Sequence, residues 1–218
     1  GHPIKTKVLH YLAEDPAVRL PRAAKLMAYG QAFHGKAMGL VPAVWRNRLY
    51  NPVLRGPNPA MGVKNLAEKL RLERGSLFQS PETPNDAETV LYFPGCGAGL
   101  FTASIGMAAV DLLLRAGVRV AIPPRHLCCG YPLAVSGLAE AFAANRERNL
   151  TALRDFLAAA GARGFAPTLL LTACGTCREA LENYDLTTAA GPLALQDVLQ
   201  FLMSRLPAAA SPDDGILY

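Results

Sequence analysis

Three short apolar runs rich in β-forming residues each lead within a few residues into cysteine, and together they account for every cysteine in the chain. Thr89-Val90-Leu91-Tyr92-Phe93 leads to Cys96. Val118-Arg119-Val120-Ala121-Ile122 leads to the pair Cys128-Cys129, followed by Gly130. Thr168-Leu169-Leu170-Leu171-Thr172 runs directly into Cys174-Gly175-Thr176-Cys177. Between the runs lie helical patterns, Ala98–Ala116 stopped by Gly117 and Leu138–Ala160 closed by Gly161 and Gly164, with further helices expected at Arg178–Tyr184 and Leu195–Arg205. Alternating strands and helices predict a small parallel sheet with helices on its faces, an α/β fold. Ligands of such sheets sit outside the carboxyl ends of the strands. All five cysteines are expected at that edge, where three distant segments become one site.

The first part of the chain reads differently. Helices are expected at Lys5–Glu14, at Pro21–Ala32 with Pro21 as a first helical residue, at Ala43–Tyr50 and at Asn65–Arg74. Loop is expected over 51–59, and the Pro-rich, polar stretch Ser80–Asn85 reads as a linker. Two regions follow: 1–88, a helical, Pro-rich, basic extension, and 89–218, the cysteine-bearing α/β domain. The closing residues Asp214–Tyr218 resemble Val90-Leu91-Tyr92, as though a second copy of the cysteine domain were starting.

With 51% hydrophobic and 18% charged residues, the chain is neither disordered nor a coiled coil. No run approaches the length of a membrane span, and Gly1-His2-Pro3 is not laid out as a signal peptide. The net charge of +5 is uneven: residues 1–89 carry 13 Lys/Arg against 7 Asp/Glu, and residues 90–218 carry 9 Arg against 10 Asp/Glu. Arg19, Arg22, Lys25, Lys36, Arg46 and Arg48 are expected to dock a partner subunit or an anionic membrane face, or else to form a solvated helical face. Aromatic and basic residues are not interleaved as in a single-strand nucleic-acid binder, so no nucleic acid is expected.

An odd cysteine count with an adjacent pair does not suit a disulfide framework. It favours metal or redox use in a reducing compartment, and the cytoplasm is the expectation. Zinc takes four ligands, and cubane iron–sulfur clusters take four cysteines. Five thiolates suit a larger or more irregular cluster, or leave one thiol free. Neighbouring side chains in extended backbone point opposite ways, so using both Cys128 and Cys129 requires a sharp turn, for which Gly130 has the freedom. Helix starts after Cys96 and Cys177 would lower thiol pKa values. Amides of Gly95, Gly97, Gly99 and Gly175 could donate to cluster sulfides. His126, two residues before Cys128, is either an extra donor or a plain loop histidine.

The pattern Cys96 … Cys128-Cys129-Gly130 … Cys174-x-x-Cys177, with Phe93-Pro94-Gly95-Cys96 and Tyr131-Pro132-Leu133 around it, resembles the CCG cysteine-rich domain. That family includes the cysteine-rich subunit of heterodisulfide reductase, the iron–sulfur subunit of glycolate oxidase, the third subunit of anaerobic glycerol-3-phosphate dehydrogenase and lactate-utilisation proteins. The resemblance covers about residues 89–185. It implies that Cys96, Cys128, Cys129, Cys174 and Cys177 ligate a noncubane [4Fe–4S] cluster, or that four of them hold zinc. The family usually carries two copies of the motif and this sequence carries one, so the chain alone is expected to be inactive. The longer gap between Cys129 and Cys174 is read as extra helix around Asp155–Pro167.

The resemblance further implies an electron-transfer domain of an oxidoreductase acting on glycolate, lactate, glycerol 3-phosphate or a related substrate. Its partner would be a flavoprotein subunit or domain, with any ferredoxin-type iron–sulfur region outside this sequence and peripheral contact with the inner face of the cytoplasmic membrane. The alternatives are cluster-catalysed disulfide reduction of the heterodisulfide-reductase kind and a zinc-stabilised scaffold. No catalytic triad or carboxylate pair stands out, and no G-x-G-x-x-G follows a strand.

Overall fold

The computed structural model describes residues 3–46, 61–73, 76–187, 191 and 193–205. Helices α1 (Pro3–Glu14), α2 (Pro16–Gly39), α3 (Ala43–Arg46) and α4 (Leu66–Leu70) come first. Strand β1 (Leu77–Phe78) precedes β2 (Thr89–Phe93), which leads into a π-helical turn (Gly97–Phe101) and α5 (Ala103–Arg115). Then follow β3 (Arg119–Ala121), α6 (Tyr131–Ala134), α7 (Ala139–Gly161), β4 (Leu169–Thr172), α8 (Gly175–Glu182), β5 (Ala194–Asp197) and α9 (Val198–Arg205).

The five strands form one sheet in the order β1-β3-β2-β4-β5. All pairs are parallel except β1 with β3. The central strand β2 sets Leu91 against Ala121 of β3 and Leu170 of β4. Its side chains alternate between two cores, as the two-residue strand period requires. Val90 and Tyr92 pack with Leu66, Leu113, Val120, Leu171 and Phe201 on one face. Leu91 and Phe93 pack with Leu153, Leu170, Leu181 and Tyr184 on the other. A strand buried on both faces belongs in a parallel sheet covered by helices, and the α/β expectation holds.

The order matters for the site. The chain leaves β2 for β3 on one side, then crosses back past β2 to β4 on the other. The strand order reverses at the carboxyl end of β2, which is where open α/β sheets bind their ligands.

Several boundaries differ from the sequence reading. Helix α2 begins at Pro16, not Pro21, and Pro21 lies inside it. Pro16 is itself the pre-set first helical residue, so the helix starts earlier and absorbs the second proline. The helix expected over Ala98–Ala116 is split. The Thr102 amide donates to the Gly97 carbonyl at 2.8 Å, a five-residue step that makes the π turn before α5 begins. Residues 195–197, expected to open a helix, belong instead to edge strand β5 (Ala194–Asp197). Helix α9 starts where the Asp197 carboxylate accepts from the Leu199 amide at 2.8 Å. Helix α8 starts three residues earlier than Arg178, which places Cys177 inside its first turn.

Ser80–Asn85 is a tight loop. Gln79 Nε2 donates to the Thr83 carbonyl at 2.8 Å and to Asn85 Oδ1 at 3.0 Å. The sheet takes β1 from ahead of this loop. Residues 47–60 and Asp214–Tyr218, with the loop, Arg48 and second-copy readings placed on them, lie outside the described residues.

Candidate metal centre

Each cysteine stands just past the carboxyl end of β2, β3 or β4. After β2 the chain turns at Gly95, whose φ is +64°, and Cys96 immediately precedes the π turn. A Cβ at Gly95 would lie 2.7 Å from Cys177 Sγ, so both the backbone conformation and the close approach require glycine. After β3, Cys128 and Cys129 are buried and Gly130 has φ +81°, the turn expected of it. A Cβ there would lie 2.9 Å from Asn145 Nδ2. After β4, Cys174 is the N-cap of α8, and Cys177 is buried in the first turn.

The five thiols are all free and stand in series. Cys96 interacts with Cys128, Cys128 with Cys129, Cys129 with Cys177, and Cys177 with Cys174. Every cysteine singled out in the sequence is therefore part of one group. The sulfurs are packed against one another with no disulfide between them. Among the described residues, no three or more His, Cys, Asp or Glu side chains could hold a metal ion in this arrangement. Their type, number and convergence nonetheless match the donor set of a thiolate-bound centre, which forms as thiols ionise.

Electrostatics grade the thiols. For Cys128, contact with Cys129 favours ionisation, but Cys96 on its other side and burial outweigh this, and the thiol is pushed up to about 12. Cys129 is pushed up to about 12 by Cys128 and by burial, against relief from Cys177. Cys177 is raised by Cys129 and by burial. Cys174 goes the other way. Partial burial opposes its ionisation, but the Thr176 hydroxyl at 3.1 Å and the amides of Cys177 and Thr176 overcome this and lower its pKa. That is the effect of a helix N-terminus on a thiolate.

The Cys128-Cys129 backbone is held by residues that the motif does not contain. Asn145 and Asn149, one turn apart on α7, both donate from Nδ2 to the Cys128 carbonyl, at 2.8 and 2.7 Å. The Tyr184 hydroxyl donates to the Cys129 carbonyl at 3.0 Å and accepts from Asn149 Nδ2 at 2.9 Å. All three side chains are buried. Two asparagines spaced i, i+4 on the inner face of a helix are the signal that could have found them, since buried amides require partners.

His126 lies in the loop that leads to Cys128. Its Nε2 lies 3.6 Å from Cys96 Sγ, and burial lowers its pKa to about 4, which keeps the ring neutral. It also lines a cavity of about 400 Å³ with Arg125, Asn65, Phe93, Pro94 and the first turns of α2. A smaller apolar cavity of about 130 Å³, walled by Leu9, Leu12, Pro16 and Leu20, adjoins Cys128 and Asn145. The Arg148 guanidinium donates to the Ala13 carbonyl, so α1 and α2 cover this side of the cysteine group.

A parallel sheet with five converged thiols at its switch point defines a cysteine-rich module of the metal- or cluster-binding kind. Residues 90–182 match the family model for the CCG cysteine-rich domain, once. No curated protein and no solved structure matches the chain.

Proposed function

We propose that Cys96, Cys128, Cys129, Cys174 and Cys177 hold an iron–sulfur cluster of the [4Fe–4S] type, with noncubane geometry where all five ligate. In this reading the chain is the electron-transfer module of an oxidoreductase acting on a 2-hydroxy acid or related substrate such as glycolate, lactate or glycerol 3-phosphate. A flavoprotein subunit or domain is the electron donor, and the compartment is cytoplasmic. The observation that carries the proposal is the unbroken series of five thiols along the ends of three neighbouring parallel strands.

A bound cluster supplies one-electron chemistry. The chain's own residues supply the rest. Asn145, Asn149 and Tyr184 fix the Cys128-Cys129 backbone. The α8 amides stabilise the Cys174 thiolate, and α1 and α2 shield Cys128 from water. Loading requires the raised thiols to give up their protons and the sulfurs to turn from each other towards the metal.

Anaerobic reconstitution with iron and sulfide, followed by elemental analysis and electron paramagnetic resonance, tests the reading. The expected result is stoichiometric iron and sulfide with a paramagnetic reduced state, both lost in Cys128→Ser. Stoichiometric zinc with no iron uptake would replace it with the zinc scaffold. Disulfide cleavage by the reconstituted chain would favour disulfide reduction.

A further inference from the structure

Helix α2 carries an outward stripe unrelated to the cysteine group. Arg22, Leu26, Tyr29, Phe33, Lys36 and Leu40 recur at alternating steps of four and three, which places them on one face. All six are exposed, Phe33 at 76% and Leu40 at 88% of their surface. The opposite face is occupied: Ala24 and Ala28 are buried, and Gln31 Oε1 accepts from the Met61 amide at 2.8 Å. Val44 and Trp45 on α3, a short turn after the end of α2, are exposed as well.

Charge narrows the choice of occupant. The 52 residues from Pro16 to Ala67 contain eight Lys/Arg and no Asp or Glu. A second copy of the chain would set cations against cations, which disfavours self-association through this face. Arg19 and Lys25 are engaged within the fold, with Glu14 and Glu68. Arg22 and Lys36 form no ion pair among the described residues. Both lie within the aromatic stripe itself. Cations beside Tyr, Phe and Leu on one exposed helical face, with an exposed Trp a few residues on, are the composition of a helix lying in the headgroup plane of an anionic bilayer. The stripe spans about 27 Å, long enough for several headgroups. No helix among the described residues is long and apolar enough to cross a membrane, so the contact is peripheral.

We infer that the outward face of α2, with Trp45 beyond it, docks on an anionic lipid surface. The surface lies outside the cysteine group and does not depend on what the thiols hold. Trp45 is the only tryptophan, so its emission reports the contact directly.

The test uses the full chain, with vesicles of phosphatidylcholine alone and of phosphatidylcholine mixed with phosphatidylglycerol. Trp45 emission should shift to the blue, and the chain should co-sediment, with the anionic vesicles only and less at raised salt. Arg22→Gln with Lys36→Gln should weaken partitioning about tenfold or more. Phe33→Glu should abolish the shift, while Met203→Glu, an exposed site on α9, should leave it intact. Circular dichroism checks that each variant keeps its helices. Failure to bind anionic vesicles, equal binding to neutral ones, or undiminished binding by Phe33→Glu would overturn the inference. Absence of vesicle binding with loss of a co-purifying acidic protein in the same variants would assign the stripe to a protein partner instead. Metal content plays no part in these readouts, so their failure is distinct from failure of the cluster reading.

Discussion

Gly95 and Cys177 meet across the site: a Cβ on Gly95 would lie 2.7 Å from the Cys177 sulfur. Gly95 also has φ +64°. Gly117 has φ +77° but nothing within 4 Å of its would-be Cβ, which makes it the control. Gly117→Ala should cost only the left-handed backbone strain, about 1–2 kcal/mol in urea denaturation, and keep its metal. Gly95→Ala should cost more than Gly117→Ala and lose stoichiometric metal, because Cys177 must move. Equal behaviour of the two variants would show that the close approach has no bearing on the site.

Two buried tyrosines should respond oppositely to losing the hydroxyl. Tyr184→Phe strands the Cys129 carbonyl and part of the Asn149 amide, a loss of about 1–3 kcal/mol. Metal affinity should fall with it, because the Cys128-Cys129 backbone is then less fixed. Tyr92 has a buried hydroxyl with no partner among the described residues, so Tyr92→Phe should be neutral or stabilising by about 1 kcal/mol. Chemical denaturation of the two variants side by side checks the contrast.

The features written in local sequence were the legible ones. Four consecutive apolar residues after Thr89 announced β2, and the three cysteine groups announced the strand ends, so sheet class and thiol convergence followed from periodicity and topology. Strand β1 escaped because it contains only two residues, and β5 because Leu195 and Gln196 are good helix formers. Pairing with β3 and β4 decides their state, and a single segment carries no such information. The π turn escaped because a five-residue backbone step leaves no side-chain period. Asn145, Asn149 and Tyr184 escaped for another reason: they serve carbonyls rather than the metal, and a ligand motif records only ligands.

His126 should make the apo protein acid-sensitive. Burial holds its pKa near 4, below the ordinary 6.5, so the unfolded chain binds the proton more readily than the folded one. The stability tied to the neutral ring is therefore complete above about pH 6.5 and is lost as pH falls towards 4. The residue retains some surface, so the loss should be about 1–2 kcal/mol, less than full burial would give. Subtracting the stability–pH curve of His126→Asn from that of the wild-type chain isolates it. A flat difference across this window would mean that the ring is solvated.

The thiols should differ in reactivity before metal is bound. The thiolate is the nucleophile, so its population sets the rate of alkylation. At pH 8 a thiol with a pKa of about 12 is ionised to only about one part in ten thousand, which describes Cys128 and Cys129. Cys177 is raised as well and is buried. Cys174 is lowered and partly exposed, with Thr176 and two amides stabilising its thiolate. Iodoacetamide should therefore modify Cys174 at least about a hundredfold faster than Cys128, Cys129 or Cys177, as peptide mapping by mass spectrometry would read. Thr176→Val should slow that reaction by removing the hydroxyl at 3.1 Å, and metal loading should suppress it. Because the same ionisation readies a thiol for metal, Cys174 is also the expected first point of attachment, and its prior alkylation should block uptake while leaving the fold intact. Normal uptake by chain alkylated at Cys174 would remove that residue from the ligand set and leave four thiols for the centre.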